Sequence, residues 1–240
     1  MSDQAQVVSA QPVSVGVVDS GFSPAVSIPM AASSAFVIEQ DQLWQSDQVH
    51  DPLGHGSRVI EVIHHLAPAA LIHSARVFSA EGRTTALQVA AAIDWLTEQQ
   101  VDLINLSLGL RADRAVLREA CERALGQGIV LCASSPAQGE AVFPAAIAGV
   151  VRATGDARCG HEDLVWLDTR QADVAGCVLP LSNQRGLSGA SMGCAHVTGH
   201  LARLKQQSVW NQSSSVPAVL AAAARWQGRE YKSHEDKTHE

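Results

Sequence analysis

The run "VSVGVV", Val13 to Val18, is short and rich in valine, and it stops at Asp19-Ser20-Gly21, which has turn chemistry; the pattern predicts a buried parallel strand. After His55-Gly56-Ser57, the apolar residues Val59, Ile60, Ile63 and Leu66 recur at helical spacing, so a helix would bury them on one side. "ALIHSARVF" then reads as a strand, "TALQVAAAIDWLTEQQ" as a helix with Val89, Ile93 and Leu96 on one face, and "VDLINLSLG" as the next strand. "RADRAVLREACERALGQG" is a helix ending in glycine, followed by the strand "IVLCAS". "AGVVRAT" and "ADVAGCVL" read as further strands, "MGCAHVTGHLARLK" as a buried helix, and "SVPAVLAAAARW" as a last surface helix with Pro217 in its first turn. Strands that alternate with helices of this length imply right-handed crossovers. The expected fold is therefore α/β, a three-layer doubly wound, mostly parallel sheet flanked by helices.

Neither a repeat nor a linker divides this pattern, so residues 12–227 are expected to form one domain. The polar ends, 1–11 and the charged run 228–240, are expected to be disordered. A chain of 240 residues that is 46% hydrophobic can bury a substantial core. No apolar run reaches membrane-spanning length, and "MSDQAQVVSAQPVSV" lacks the basic start and apolar centre of a signal peptide, so a cytoplasmic location is expected. The formal charge of −7 argues against nucleic acid or an anionic membrane as a partner. Cys121, Cys132, Cys159, Cys177 and Cys194 are five, an odd number with no C-x-x-C spacing, and read as reduced thiols. Cys194, so close after Ser191, is either a small buried hydrophobe of the helix or a neighbour of a site.

The chemistry is concentrated in "SGASMGCAHVTG", Ser188 to Gly199, where Ser191 sits among small residues just before a helical run. Gly189 to Gly193 fits G-x-S-x-G, but the α/β-hydrolase order of serine, acid, histidine would draw the last two from the terminal run "GREYKSHEDKTHE", too polar to build a site. Small residues that let a helix pack closely explain the stretch equally well by themselves. Asp19 ends the first strand, where open α/β sheets place catalytic groups, yet alone it reads as a turn-capping aspartate. His55 falls at a helix N-terminus, where the helix dipole disfavours imidazolium, so a base there would need an acidic neighbour.

Asp19, His55 and Ser191 in that order resemble the triad of the subtilisin-like serine peptidases, the subtilases. "VVDSGF" is similar to the family's aspartate motif, "HGSRV" to its histidine motif, "INLSLG" to its substrate-binding strand and "SGASMGCAHVTG" to its serine motif, across about Val13 to Trp226. The resemblance implies that His55 takes the Ser191 proton and later protonates the leaving amine, while Asp19 fixes its tautomer and stabilises its charged form. It implies an oxyanion held by the Ser191 backbone N–H, and a peptide or protein substrate bound as an extended strand between Ser107, Leu108 and Gly109 on one side and Gly82, Arg83 and Thr84 on the other. No cofactor and no metal are called for.

Several positions depart from the family. His65 passes directly to Leu66-Ala67-Pro68, where many secreted subtilases carry a calcium-binding loop, and "LRADRA" follows Gly109 in place of a glycine-rich pocket wall, so Leu110 and Arg111 are expected to close the pocket. Pro136 in "VLCASSPAQG" stands where the family has the asparagine that is the second oxyanion donor, and proline has neither a side-chain donor nor an N–H. Ser134, Ser135 and Asn183 are the candidate replacements. Three readings follow: an intracellular endopeptidase of narrow specificity maturing a precursor peptide of a biosynthetic pathway; a pseudo-peptidase that binds an extended peptide; and a peptide ligase or macrocyclase on the same scaffold.

Overall fold

In the computed structural model, which describes residues 12–184, 186, 188–207, 210 and 215–230, the valine-rich run becomes the centre of a single sheet. Strand β1 (Ser14–Asp19) pairs in parallel with β4 (Leu71–Arg76) on one side and β5 (Leu103–Leu106) on the other. Beyond β5 lie β6 (Val130–Ser134), β7 (Val151–Asp156), β9 (Val174–Cys177), β8 (Val165–Trp166) and β10 (Trp226–Gln227). Only β8 with β9, and the hairpin described next, run antiparallel among the described residues. Of the ends expected to be disordered, 1–11 and 228–240, all but 228–230 lie outside the described residues. Gly228 N–H donates to Trp166 O (2.8 Å) and its carbonyl accepts from Arg158 (2.9 Å).

The sheet's other edge is a hairpin that periodicity did not reveal, β2 (Met30–Glu39) and β3 (Gln42–Ser46). Its two-residue turn is Gln40-Asp41, both at positive φ (49° and 60°). Such a turn follows the right-handed twist of a hairpin, but it normally advertises itself as Asn-Gly or Asp-Gly.

Helices α1 (His55–Leu66) and α4 (Ala190–Gln206) pack together on one face of the sheet, and α2 (Ala86–Glu98) and α3 (Ala115–Gly126) on the other; α5 (Val216–Ala223) lies against β8. One core, with Val15, Val17, Ile60, Ile63 and Leu201, fills the first interface; the second holds Val89, Ile93, Leu96, Ile104 and Leu117, so both faces are covered as a parallel sheet requires. All five cysteines are buried free thiols. Cys194 belongs to the core, fully buried with its Sγ 3.7 Å from that of Cys132. Among the described residues no helix is long and apolar enough to cross a membrane.

Candidate active site

Asp19 ends β1, and His55 opens α1 beside it: His55 Nδ1 donates to Asp19 Oδ1 at 2.8 Å. A carboxylate only accepts, so Nδ1 carries the proton and Nε2 is left with its lone pair. Burial pushes the His55 pKa down, but the charge of Asp19, its hydrogen bond and the more distant Asp51 outweigh this and hold it above the usual 6.5. Asp19 is 1% exposed; its Oδ1 also accepts from Ser20 N (2.7 Å), while its Oδ2 is buried without a hydrogen-bond partner among the described residues.

Asp51, which the sequence reading passed over, supports this pair. Its buried carboxylate accepts from Leu53 N (3.1 Å), Gly54 N (2.8 Å), Ser57 N (2.8 Å), Ser57 Oγ (2.7 Å) and Ser20 Oγ (2.8 Å). It thereby satisfies N–H groups at the entrance and first turn of α1 that no carbonyl of the helix can reach, with the helix dipole in its favour. Burial pushes its pKa up, and the bonds from Ser57, Ser20 and Gly54 outweigh that and hold it below the ordinary value. Ser20 Oγ accepts in turn from Gly56 N (2.9 Å), tying the end of β1 to the start of α1. An aspartate shortly before a predicted helix start was the available signal.

Ser191 lies in the first turn of α4, half-buried, and its hydroxyl donates to Ser107 O at 3.1 Å. Ser107 Oγ returns a bond to Ser191 O (3.2 Å) and accepts from Asn105 Nδ2 (2.8 Å). The buried Asn105 Oδ1 accepts from Thr198 Oγ1 (3.0 Å) and Cys194 Sγ (3.4 Å), so the chain Thr198, Asn105, Ser107 clamps α4 onto the end of β5. A polar asparagine inside an apolar strand needs such partners, and that requirement was the missed clue to Asn105 and Thr198.

Both helices start at one edge of the sheet. α1 opens at the carboxyl end of β1, and α4 opens at the carboxyl ends of β5 and β9, where Gly189 N donates to Val178 O (2.9 Å). Because these strands are parallel, α1 and α4 both begin outside the carboxyl ends of the sheet, where open α/β folds bind ligands.

Residues 10–157 match the subtilase family, a stretch that includes Asp19 and His55. The chain belongs to that family. Subtilisin DY of Bacillus licheniformis is 24% identical over 92% of the chain and 86% of its own length, and subtilisin BL of Lederbergia lenta 25% identical over 81% and 77%. The minor extracellular protease Epr of Bacillus subtilis is 28% identical over 58% of this chain, which spans only 22% of Epr.

In this subtilase Ser107 and Leu108 are buried and Gly109 is exposed. Leu110 pairs with Phe143 through two hydrogen bonds (2.7 and 2.8 Å), and a Cβ on Gly109 would come within 2.9 Å of Val142. Leu110 and Val142 thus pack beside Gly109, and Arg111 is exposed. On the other side, Gly82 closes a turn on Ser79 (3.1 Å) with Leu53 as its neighbour, and Arg83 and Thr84 lead irregularly into α2. Pro136 is half-buried at the end of β6. The hydroxyls of Ser134 and Ser135 donate to Leu108 O (3.1 Å) and Gln171 O (2.6 Å), so neither offers its proton to an oxyanion, and Asn183 is exposed at positive φ (57°). No calcium-type loop separates α1 from β4: Ala67 N donates to Ile63 O (3.0 Å) and Ala70 N to Ala67 O (2.9 Å), a short turn.

Proposed function

We propose that this chain is a serine endopeptidase that hydrolyses peptide bonds through Asp19, His55 and Ser191. The observation that carries the reading is the His55 Nδ1 to Asp19 Oδ1 hydrogen bond of 2.8 Å, which fixes the histidine tautomer that a general base needs. The Ser191 hydroxyl has one proton, now spent on Ser107 O. Acylation requires it to turn to His55 Nε2, which takes the proton as Oγ attacks the carbonyl carbon. The oxyanion is held by the Ser191 N–H and the start of α4; His55 then protonates the leaving amine, and water resolves the ester.

The substrate is an extended peptide laid between Ser107, Leu108, Gly109 and Gly82, Arg83, Thr84, and the wall of Leu110 and Val142 favours a small side chain before the scissile bond. Five free buried thiols support a reducing, cytoplasmic setting, and narrow use on one precursor peptide is part of the same reading. Pro136 and the bond from Ser191 to Ser107 favour a second reading, a peptide-binding protein without turnover. A fluorophosphonate probe separates them. Labelling of wild type, but of neither Ser191→Ala nor His55→Ala, supports the peptidase; an unlabelled, folded wild type supports the binding protein.

Pro136→Asn is expected to raise kcat roughly tenfold or more on an unstructured peptide with KM little changed, because the donor acts on the transition state. A full donor is worth about 10²–10³ in kcat, and the turn built around proline will give back part of it. No change in kcat would show that the oxyanion lies elsewhere.

His55 acts as a base only when neutral, so kcat/KM should rise with pH through a midpoint above 6.5. Stability moves the other way. The raised pKa means that the Asp19 to His55 pair stabilises the fold fully below the unfolded value of about 6.5 and loses this contribution as pH rises through the folded one. Activity and melting temperature measured across the same buffers should therefore diverge above that pH, and His55→Ala should abolish this part of the melting trend.

A further inference from the structure

Away from the triad, His161, Cys177 and His196 come together from three elements: the turn between β7 and β8, the end of β9, and α4. One ligand atom of each lies within 4.8 Å of the others. The geometry points to a binding site for a zinc-class divalent cation held by these three side chains.

Each ligand is prepared by its surroundings. His196 is fully buried, and its Nδ1 donates to Met192 O (2.9 Å), so Nε2 carries the lone pair. His161 Nδ1 donates to His196 Nε2 at 3.1 Å, a bond that the cation would replace, and the two rings lie within 12° of parallel. Two imidazole nitrogens on a tetrahedral zinc stand about 3.3 Å apart, as bonds of about 2.0–2.1 Å require, so this spacing is already close to that of a bound pair. Cys177 Sγ accepts from Leu179 N (3.5 Å), which orients the sulfur at the end of β9.

The approach of helix to strand that makes the cluster possible depends on Gly176. A Cβ there would meet His196 Cβ at 2.7 Å and Gly193 O at 2.9 Å, so any side chain would push α4 off β9 and separate His196 from Cys177. His161 is half-buried on a turn closed by Asp163, whose carboxylate accepts from Gly160 N (2.9 Å), and binding requires it to shift the small distance that brings the sulfur into range. Two nitrogens and a sulfur suit zinc rather than calcium or magnesium, which prefer oxygen. On binding, the Cys177 thiol loses its proton to solvent and His161 carries its remaining proton on Nε2. Three protein ligands leave the fourth position to water. The cation would fasten the 157–164 turn to the helix that begins with Ser191.

The test uses the full metal-free chain. Titration with Co²⁺ should produce a saturable near-ultraviolet thiolate-to-cobalt charge-transfer band at one equivalent, reversed by Zn²⁺, and Zn²⁺ at about a hundredfold over its Kd should raise Tm by about 5–10 °C. Cys177→Ser should lose the band, His161→Gln, on its half-buried turn, should lose most of the Tm rise, and Cys121→Ser and Ser191→Ala should keep both. A wild type that gives neither band nor Tm rise overturns the site, as does a response unchanged in folded His161→Gln and Cys177→Ser. Because Ser191→Ala retains the metal response, loss of the peptidase reading and loss of this one remain separate results.

Discussion

His55→Ala should lower kcat by about 10⁶ with a small change in KM, since without its base the Ser191 hydroxyl stays bonded to Ser107 O and cannot be activated. The magnitude is that of removing the base from a subtilisin triad, where the members act as one unit. Asp19→Asn should cost less here, at most about 10⁴. Asp19 Oδ1 accepts from both His55 and Ser20 N, so an asparagine would keep its oxygen there and put its NH₂ in the place of the unpartnered Oδ2. The tautomer survives; the charge that stabilises imidazolium does not. Steady-state kinetics on one peptide, with circular dichroism to confirm folding, check both variants. Residual His55→Ala activity above about 1% of wild type would mean that another group is the base.

Asp51→Ala should be the most destabilising of the single substitutions around the site, by about 3–5 kcal/mol, because three buried donors and two half-buried ones lose one charged acceptor. For a chain of this size that corresponds to a Tm lower by roughly 10 °C or more. The pH dependence identifies the cause. A lowered carboxylate pKa stabilises the fold above the unfolded value of about 3.9 and is lost as pH falls through the folded one, so wild type and variant should converge in Tm below about pH 4. Asp51→Asn, which keeps an acceptor, should lose less. A variant that melts within about 2 °C of wild type at neutral pH would show that water replaces the carboxylate at no cost.

The parts of this fold visible in the sequence are those where one physical signal dominates. Val13 to Val18 has no polar alternation because both faces of β1 are covered, and Val89, Ile93 and Leu96 mark the buried side of α2. The β2 to β3 hairpin left no trace, since Gln40 and Asp41 adopt a turn usually announced by glycine and the strand "MAASSAFVIE" does not alternate. Asp19, His55 and Ser191 were legible as motifs. Asn105 and Thr198 were not, because a buried polar residue is recognised by its partners and these two lie far apart in sequence; Asp51 was passed over although its donors Leu53, Gly54 and Ser57 follow it closely. His161, Cys177 and His196 likewise follow no ligand spacing, and only the packing of α4 on β9 brings them together.

The central strand has a consequence for how the chain reaches this state. β1 is made first, yet its register partners, Leu71 and Leu103 among them, follow far downstream. Non-local parallel pairing means that loop-closure entropy is lost before any contact is gained, so folding should be slow for a domain of this size. α4, made after all of these strands, supplies Met192, Val197 and Leu201 to the same core as β1 and α1. A ribosome-bound chain that has not emerged through α4 therefore lacks both this side of the core and Ser191, and it has no nucleophile until α4 has been made.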